Sequence, residues 1–316
     1  MSALETHIEI PDHVGIHEEY TAEPLPYFYK GCLVADEKYR VLSIASSNPT
    51  ADVYKAVDDT NGSPVAVKVH RETSVFQQQR VDKELTAFIG LQGLPGIAPV
   101  YDLGILCESD YPKRYTATHL GETLDARIRD DKMDVDDLLT MSTQVLHGIE
   151  SVHGNGLVHR DIKPGNIIFR NGDWELIDFG SVEALGEKFQ ESILSLGSLA
   201  VDDIITDPNL YISPGWVAPE VVRRNDDRYN YNPEADVFSF GVTLYNAETG
   251  GKFPYDIRKK NLDEIVTTVI TESPASAREL NRAIPAELEK LTLECLSHNP
   301  EDRPTIDELE RRLESI

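Results

Sequence analysis

His159-Arg160-Asp161-Ile162-Lys163-Pro164-Gly165-Asn166 is the most informative stretch of this chain, and Asp178-Phe179-Gly180 follows it twelve residues after Asn166. Between the two lie Ile167-Ile168-Phe169 and Trp174-Glu175-Leu176-Ile177, apolar runs on either side of Asn171-Gly172. Asn-Gly between such runs signals a tight hairpin turn, because its central positions take positive φ. The spacing therefore predicts a short hairpin whose flanking loops carry two carboxylates, an amide and an ammonium group. A lone Asp in a loop is usually a solvated group or a cap. Eight residues in fixed order, with a second Asp at fixed spacing, argue against that reading here.

Working outward, residues 39–44 read as a strand and 51–57 alternate strongly. Residues 58–62 end in a second Asn-Gly signal, and 64–69 complete a three-stranded meander. A helix is predicted over 76–91, with Val81, Leu85 and Phe88 on one apolar face. Strands are expected near 100–106 and 114–118. After Gly121 the pattern turns helical, over 136–154, 236–249, 286–295 and 305–313. Thr305 followed by Glu308 has the form of a capping box. A strand-rich first part and a helix-rich second part suggest two lobes that change over near 116–121. The first thirty-six residues lack sustained periodicity, although the aromatic stretch 24–29 could dock as an arm.

The chain has 316 residues, 40% of them apolar, and a formal net charge of -25. Such acidity is repelled by phosphate backbones, so no nucleic-acid partner is expected. It suits solubility, a basic partner or a high-salt cytoplasm alike, and acidic character near residues 201–207 hints at a basic protein substrate. No apolar run reaches the ~18 residues of a membrane span. The first twenty residues lack the apolar core of a secretory signal. A cytoplasmic protein with no membrane partner is the default that remains. Cys32, Cys107 and Cys295 are far apart and lack disulfide or zinc spacing.

The eight-residue stretch and the Asp-Phe-Gly triplet resemble the catalytic and metal-binding loops of the eukaryotic-like serine/threonine protein kinases. Val65-Ala66-Val67-Lys68 resembles their lysine-bearing strand, and Ala218-Pro219-Glu220 the end of their activation segment. Asp236-Val237-Phe238-Ser239-Phe240-Gly241 and Asn299-Pro300-Glu301-Asp302-Arg303 continue the likeness, in unbroken order over about residues 39–316. The resemblance implies an α+β, bilobal protein kinase fold. Its N-lobe would hold a five-stranded antiparallel sheet with one main helix, and its C-lobe would be mainly helical. Residues 1–38 would be an N-terminal extension, 39–119 the N-lobe and hinge, and 120–316 the C-lobe.

The same resemblance implies ATP and Mg²⁺ as co-reactants and a protein substrate bearing Ser or Thr. Asp161 would accept the proton of the attacking hydroxyl, and Lys163 would neutralise charge on the transferring group. Asn166 and Asp178 would hold the metal. Lys68 would pair with the phosphates and be held by Glu84. The nucleotide would meet Ser46, Ser47, Asn48, Thr50, Val53 and Ala66, with Thr116 as gatekeeper and Ala117 to His119 as hinge. Asp236 would hold the catalytic loop from below, and Glu220 would pair with Arg303 for structural reasons.

Two stretches depart from the family pattern. The three glycines of the nucleotide loop are replaced by Ser46, Asn48 and Ala51, and Pro49 removes one backbone donor. Side-chain donors of Ser46, Ser47, Asn48 and Thr50 could compensate. The activation segment is long and contains an acidic stretch at 201–207. Arg160 before the catalytic Asp suggests control by phosphate on Ser192, Ser195, Ser198 or Thr206, or by an acidic residue mimicking it. An active kinase leads. A kinase-fold pseudoenzyme, binding nucleotide or acting as a scaffold, is the competing reading, and a small-molecule kinase is the third.

Overall fold

Alternation builds the sheet. Strand β4 (Pro64–His70) buries Val65, Val67 and Val69 on one face and turns Ala66 and Lys68 to the other. It pairs antiparallel with β3 (Ala51–Asp58) on one side and β6 (Lys113–His119) on the other. Beyond β3 lie β2 (Tyr39–Ser47) and β1 (Leu33–Val34), and beyond β6 lies β5 (Val100–Leu106). The computed structural model describes residues 28, 30–48, 50–71, 75–106, 113–184, 213, 215–222, 232–260 and 262–316. Ser192, Ser195, Ser198, Thr206 and the acidic stretch 201–207 lie outside them.

The sheet has six strands where five were expected. The sixth is Leu33-Val34, from the segment read as an extension; two residues carry no period that a sequence pattern can reveal. It is tied down by Gly31 N–H to Val41 O at 2.7 Å and Val41 N–H to Cys32 O at 2.9 Å. Further upstream, Phe28 packs edge-on against Tyr54, 5.4 Å between ring centroids. The arm suggested by the aromatic stretch thus reaches the core at Phe28. The second Asn-Gly signal does not make a two-residue turn, since Val57 pairs with Pro64. Asp58 sets this longer loop, its Oδ1 accepting from Thr60 N–H at 2.9 Å.

The chain divides into two compact units: residues up to Thr73 together with Tyr101–Leu120, and Ser74–Val100 together with Gly121–Ile316. Val34, Tyr39, Tyr54, Val67, Leu106 and Ala117 are among the buried side chains of the first core. The second unit contains helices α1 (Val75–Leu91), α2 (Leu124–Arg129), α3 (Val135–Gly154), α4 (Pro219–Val222) and α5 (Pro233–Glu248). These are followed by α6 (Leu262–Thr271), α7 (Ala277–Leu280), α8 (Ala286–Cys295) and α9 (Ile306–Leu313). Helix α1 was expected to accompany the sheet. Its Ala87, Phe88 and Leu91 share a core with Val145, Leu146 and Leu176.

Caps fix the helix starts. Asp134 and Asp137 form a capping box at α3, and Thr305 and Glu308 form the expected one at α9. Strands β9 (Ile167–Arg170) and β10 (Asp173–Leu176) pair with Arg170 opposite Asp173. The turn between them is Asn171-Gly172, with φ of 56° and 101°, as the sequence predicts. Strand β7 (Glu122–Thr123) adds to β9, while β8 (Leu157–Val158) pairs with β11 (Glu183–Ala184). Among the described residues no helix is long and apolar enough to cross a membrane.

Candidate active site

The loop between β8 and β9 is suspended from a buried carboxylate. Asp236 of α5 is fully buried and accepts the N–H of His159 at 2.7 Å and of Arg160 at 2.8 Å. His153 Nε2 lies 2.9 Å from the same carboxylate. Burial alone would push the Asp236 carboxyl up. The hydrogen bond and charge of His153, with the charge and N–H of His159, outweigh it and hold the group below its ordinary range. Burial lowers the His159 imidazole below its usual value, against the pull of Asp236, Asp161 and Asp178. The His159 ring packs 5.2 Å from that of Phe179. Phe179 in turn meets Phe88 of α1 edge-on at 4.9 Å.

On this support the polar side chains converge. Lys163 Nζ donates to both oxygens of Asp161, at 3.0 and 2.7 Å, and to Ser213 Oγ at 2.9 Å. Ser213 Oγ donates to Asp161 Oδ1 at 2.8 Å. Asn166 Nδ2 donates to the Asp161 backbone oxygen at 2.8 Å and to Oδ2 at 2.9 Å. The open end of the hairpin is closed by Ile177 N–H to Asn166 O at 2.9 Å, so Asp178 begins beside Asn166. Asp178 has φ of 64°, and its Oδ1 accepts the N–H of Gly180 at 3.2 Å. A Cβ on Gly180 would lie 2.9 Å from Oε2 of the buried Glu84 of α1, so the glycine gives that carboxylate room beside the turn.

A family model described as the protein kinase domain matches residues 49–312. The chain belongs to the protein kinase family. It is similar to a probable serine/threonine-protein kinase of Clostridium acetobutylicum, 29% identical over 276 residues. That match covers 85% of this chain and 38% of the relative. It also resembles the serine/threonine-protein kinase PknL of Mycobacterium tuberculosis, 30% identical over 278 residues, covering 85% of this chain and 62% of PknL. PknA of the same species is 27% identical over 263 residues, covering 77% of this chain and 55% of PknA. The chain thus spans less than two thirds of each of these relatives.

The remaining residues expected at the kinase site lie in the first unit, except Glu84. Register places Val53 opposite Lys68 and Lys68 opposite Thr116, with Ser46 opposite Val53. Directly opposed residues share a face, so Ser46, Val53, Lys68 and Thr116 form one row, with Ala66 two positions along. Ala117 and His119 point to the other face: Ala117 is buried in the core and His119 lies 5.0 Å from the Tyr101 ring. Strand β6 runs through His119, and the two units divide between Leu120 and Gly121. That division falls just past the segment expected as the hinge.

The glycine-free kinase loop is a closed turn. Asn48 Oδ1 accepts Thr50 N–H at 2.9 Å, Thr50 Oγ1 at 2.8 Å and Ala51 N–H at 2.9 Å. The Asn48 N–H itself bonds Ala51 O at 3.0 Å. Ser47 Oγ donates to Asp52 at 2.6 Å, and the Arg71 guanidinium clamps Asp52 through Nη2 at 2.6 Å and Nε at 3.2 Å. Of the hydroxyls expected to compensate for glycine, those of Ser47 and Thr50 are therefore used within the loop. Asp52 and Arg71 gave no signal of this role in the sequence. Ser213 stands five residues ahead of Ala218-Pro219-Glu220, and its bonds to Asp161 and Lys163 depend on the fold.

Proposed function

We propose that this kinase transfers the γ-phosphoryl group of ATP to serine or threonine hydroxyls of a protein substrate. The observation that carries this reading is the Asp161–Lys163–Ser213–Asn166 cluster. In it the Asp161 carboxylate accepts hydrogen bonds from an ammonium group, an amide and a hydroxyl. Asp161 takes the proton of the substrate hydroxyl as its oxygen bonds to the γ-phosphorus and the bond to the ADP oxygen breaks. Lys163 balances charge on the moving group. Lys68 binds the phosphates. Asn166 and Asp178 offer one amide oxygen and one carboxylate, a set that suits Mg²⁺, which keeps water and phosphate oxygens as its other ligands. When bound, the metal would screen negative charge on the phosphates. Ser46, Val53, Ala66 and Thr116 line the nucleotide face, with 117–119 near the adenine. The domain is proposed to span about 39–316. The net charge of -25 favours a basic protein substrate in the cytoplasm.

One observation favours a second reading, a nucleotide-binding scaffold on the same fold. The loop donors that would hold phosphates are occupied by Asn48 and Asp52. The two readings separate on incubation with γ-labelled ATP, Mg²⁺ and a basic acceptor protein, followed by acid hydrolysis. Label recovered as phosphoserine or phosphothreonine is the expected result. ATP binding without any labelled amino acid would favour the scaffold.

A further inference from the structure

The reaction proposed above gives no task to Glu183. It lies on β11, just after the Asp178–Gly180 turn, and its carboxylate joins two elements. Arg160 Nη1 donates to Glu183 Oε2, and Lys83 Nζ of α1 lies 3.6 Å from the same oxygen. The Arg160 side chain is only 8% exposed, so its charge must be matched inside the protein. Its backbone is held at the other end by Asp236 and has φ of 70°, the left-handed region. Asp161 is the next residue, so the setting of Arg160 fixes where the Asp161 carboxylate stands. A second tie runs nearby, from Arg80 Nη2 of α1 to Ser181 Oγ at 3.2 Å. Segment 181–183 therefore links α1, which carries Glu84, to the catalytic loop.

We propose that Glu183 is a positioning residue: a built-in negative charge that locks Arg160, and through it Asp161, to helix α1. Phosphate groups bind arginine in the same way as carboxylates, through charge-assisted hydrogen bonds. A carboxylate supplied by the fold does this without a modification. The chain's catalytic loop is consequently set in the unphosphorylated protein. The effect on rate rests on the kinase reading, whereas the lock itself does not.

The test compares the full chain with Glu183→Gln, Glu183→Asp and Glu183→Ala. Hydrogen exchange is read at α1 and at 158–163, which reports the lock whether or not phosphate is transferred. Glu183→Gln should speed exchange in both segments together, and Glu183→Asp should restore much of the protection. In transfer assays Glu183→Gln should lower kcat by about tenfold to a hundredfold, the loss of one charge-assisted bond, with the KM for ATP little changed. Phosphatase-treated natural protein should keep its rate. Unchanged exchange in Glu183→Gln, or Glu183→Asp no better than Glu183→Ala, would overturn the proposal. So would a fall to the Glu183→Gln rate on phosphatase treatment. Absence of transfer by every form would count against the kinase reading, and the exchange result alone would then decide the lock.

Discussion

Asn48 shows how one side chain can change what a loop is able to do. Its Oδ1 receives three donors at 2.8–2.9 Å, the kind of convergence that a phosphate oxygen would otherwise enjoy. The Ser47 and Thr50 hydroxyls are likewise spent on Asp52 and Asn48. Thr50→Ala, which loses one hydrogen bond, and Ser47→Ala, which loses two, should cost about 0.5–1.5 kcal/mol of stability per bond and leave ATP affinity unchanged. Asn48→Gly should free the Thr50 and Ala51 amides and raise ATP affinity. Denaturant titration and calorimetry measure both quantities. Affinity lost in the alanine variants at unchanged stability would mean that the hydroxyls touch phosphate after all. The expectation of compensating donors was sound chemistry from residue types. Which acceptor each donor meets depends on loop closure, and residue type does not carry that.

Helix α5 gathers structural roles along its length. Its start supplies Asp236, and the oxygen of Glu234 accepts Arg303 Nη1 at 2.8 Å. Arg303 also grips Glu220 through two bonds of 2.6 and 2.7 Å, as the sequence suggested. At the last turn Glu248 is 1% exposed, and its Oε1 accepts Thr292 Oγ1 at 2.7 Å. Its other oxygen has no hydrogen-bond partner among the described residues. Burial raises its pKa from 4.5 to about 8; the Thr292 bond opposes this, and the nearby charge of Glu289 adds to it. The folded state thus keeps a proton that the unfolded chain releases above its ordinary value. Stability should fall as pH rises from 4.5 through about 8, and Glu248→Gln should flatten that slope. Urea titrations of both proteins at the two ends of this window check it. Parallel pH profiles would contradict it. Elements were read from the sequence to differing degrees, and for physical reasons. The Asn171-Gly172 hairpin was legible because apolar runs flank a turn with no competing cap. Asn61-Gly62 carried the same letters, but Asp58 captured the loop.

At the scale of the whole molecule, the parts read most surely were those where chemistry is packed into consecutive residues. Residues 159–166 and 178–180 announced themselves, and the structure assembles Asp161, Lys163 and Asn166 around one another. Partners brought together only by folding were not legible. Ser213 reaches Asp161 across fifty-two positions, and Glu183 reaches Arg160 across twenty-three. Helix α1 was legible along the chain from its apolar face, but such a face does not say which core it enters. The central claim is that Asp161 is the proton acceptor in phosphoryl transfer. Its most direct test is the single-turnover transfer rate of the natural chain against Asp161→Asn, at matched folded fraction and saturating Mg²⁺ and ATP. Replacing the carboxylate by an amide keeps its size and removes its basicity, so the rate should fall about a hundredfold to ten-thousandfold while ATP still binds. An unchanged rate in Asp161→Asn would contradict the claim.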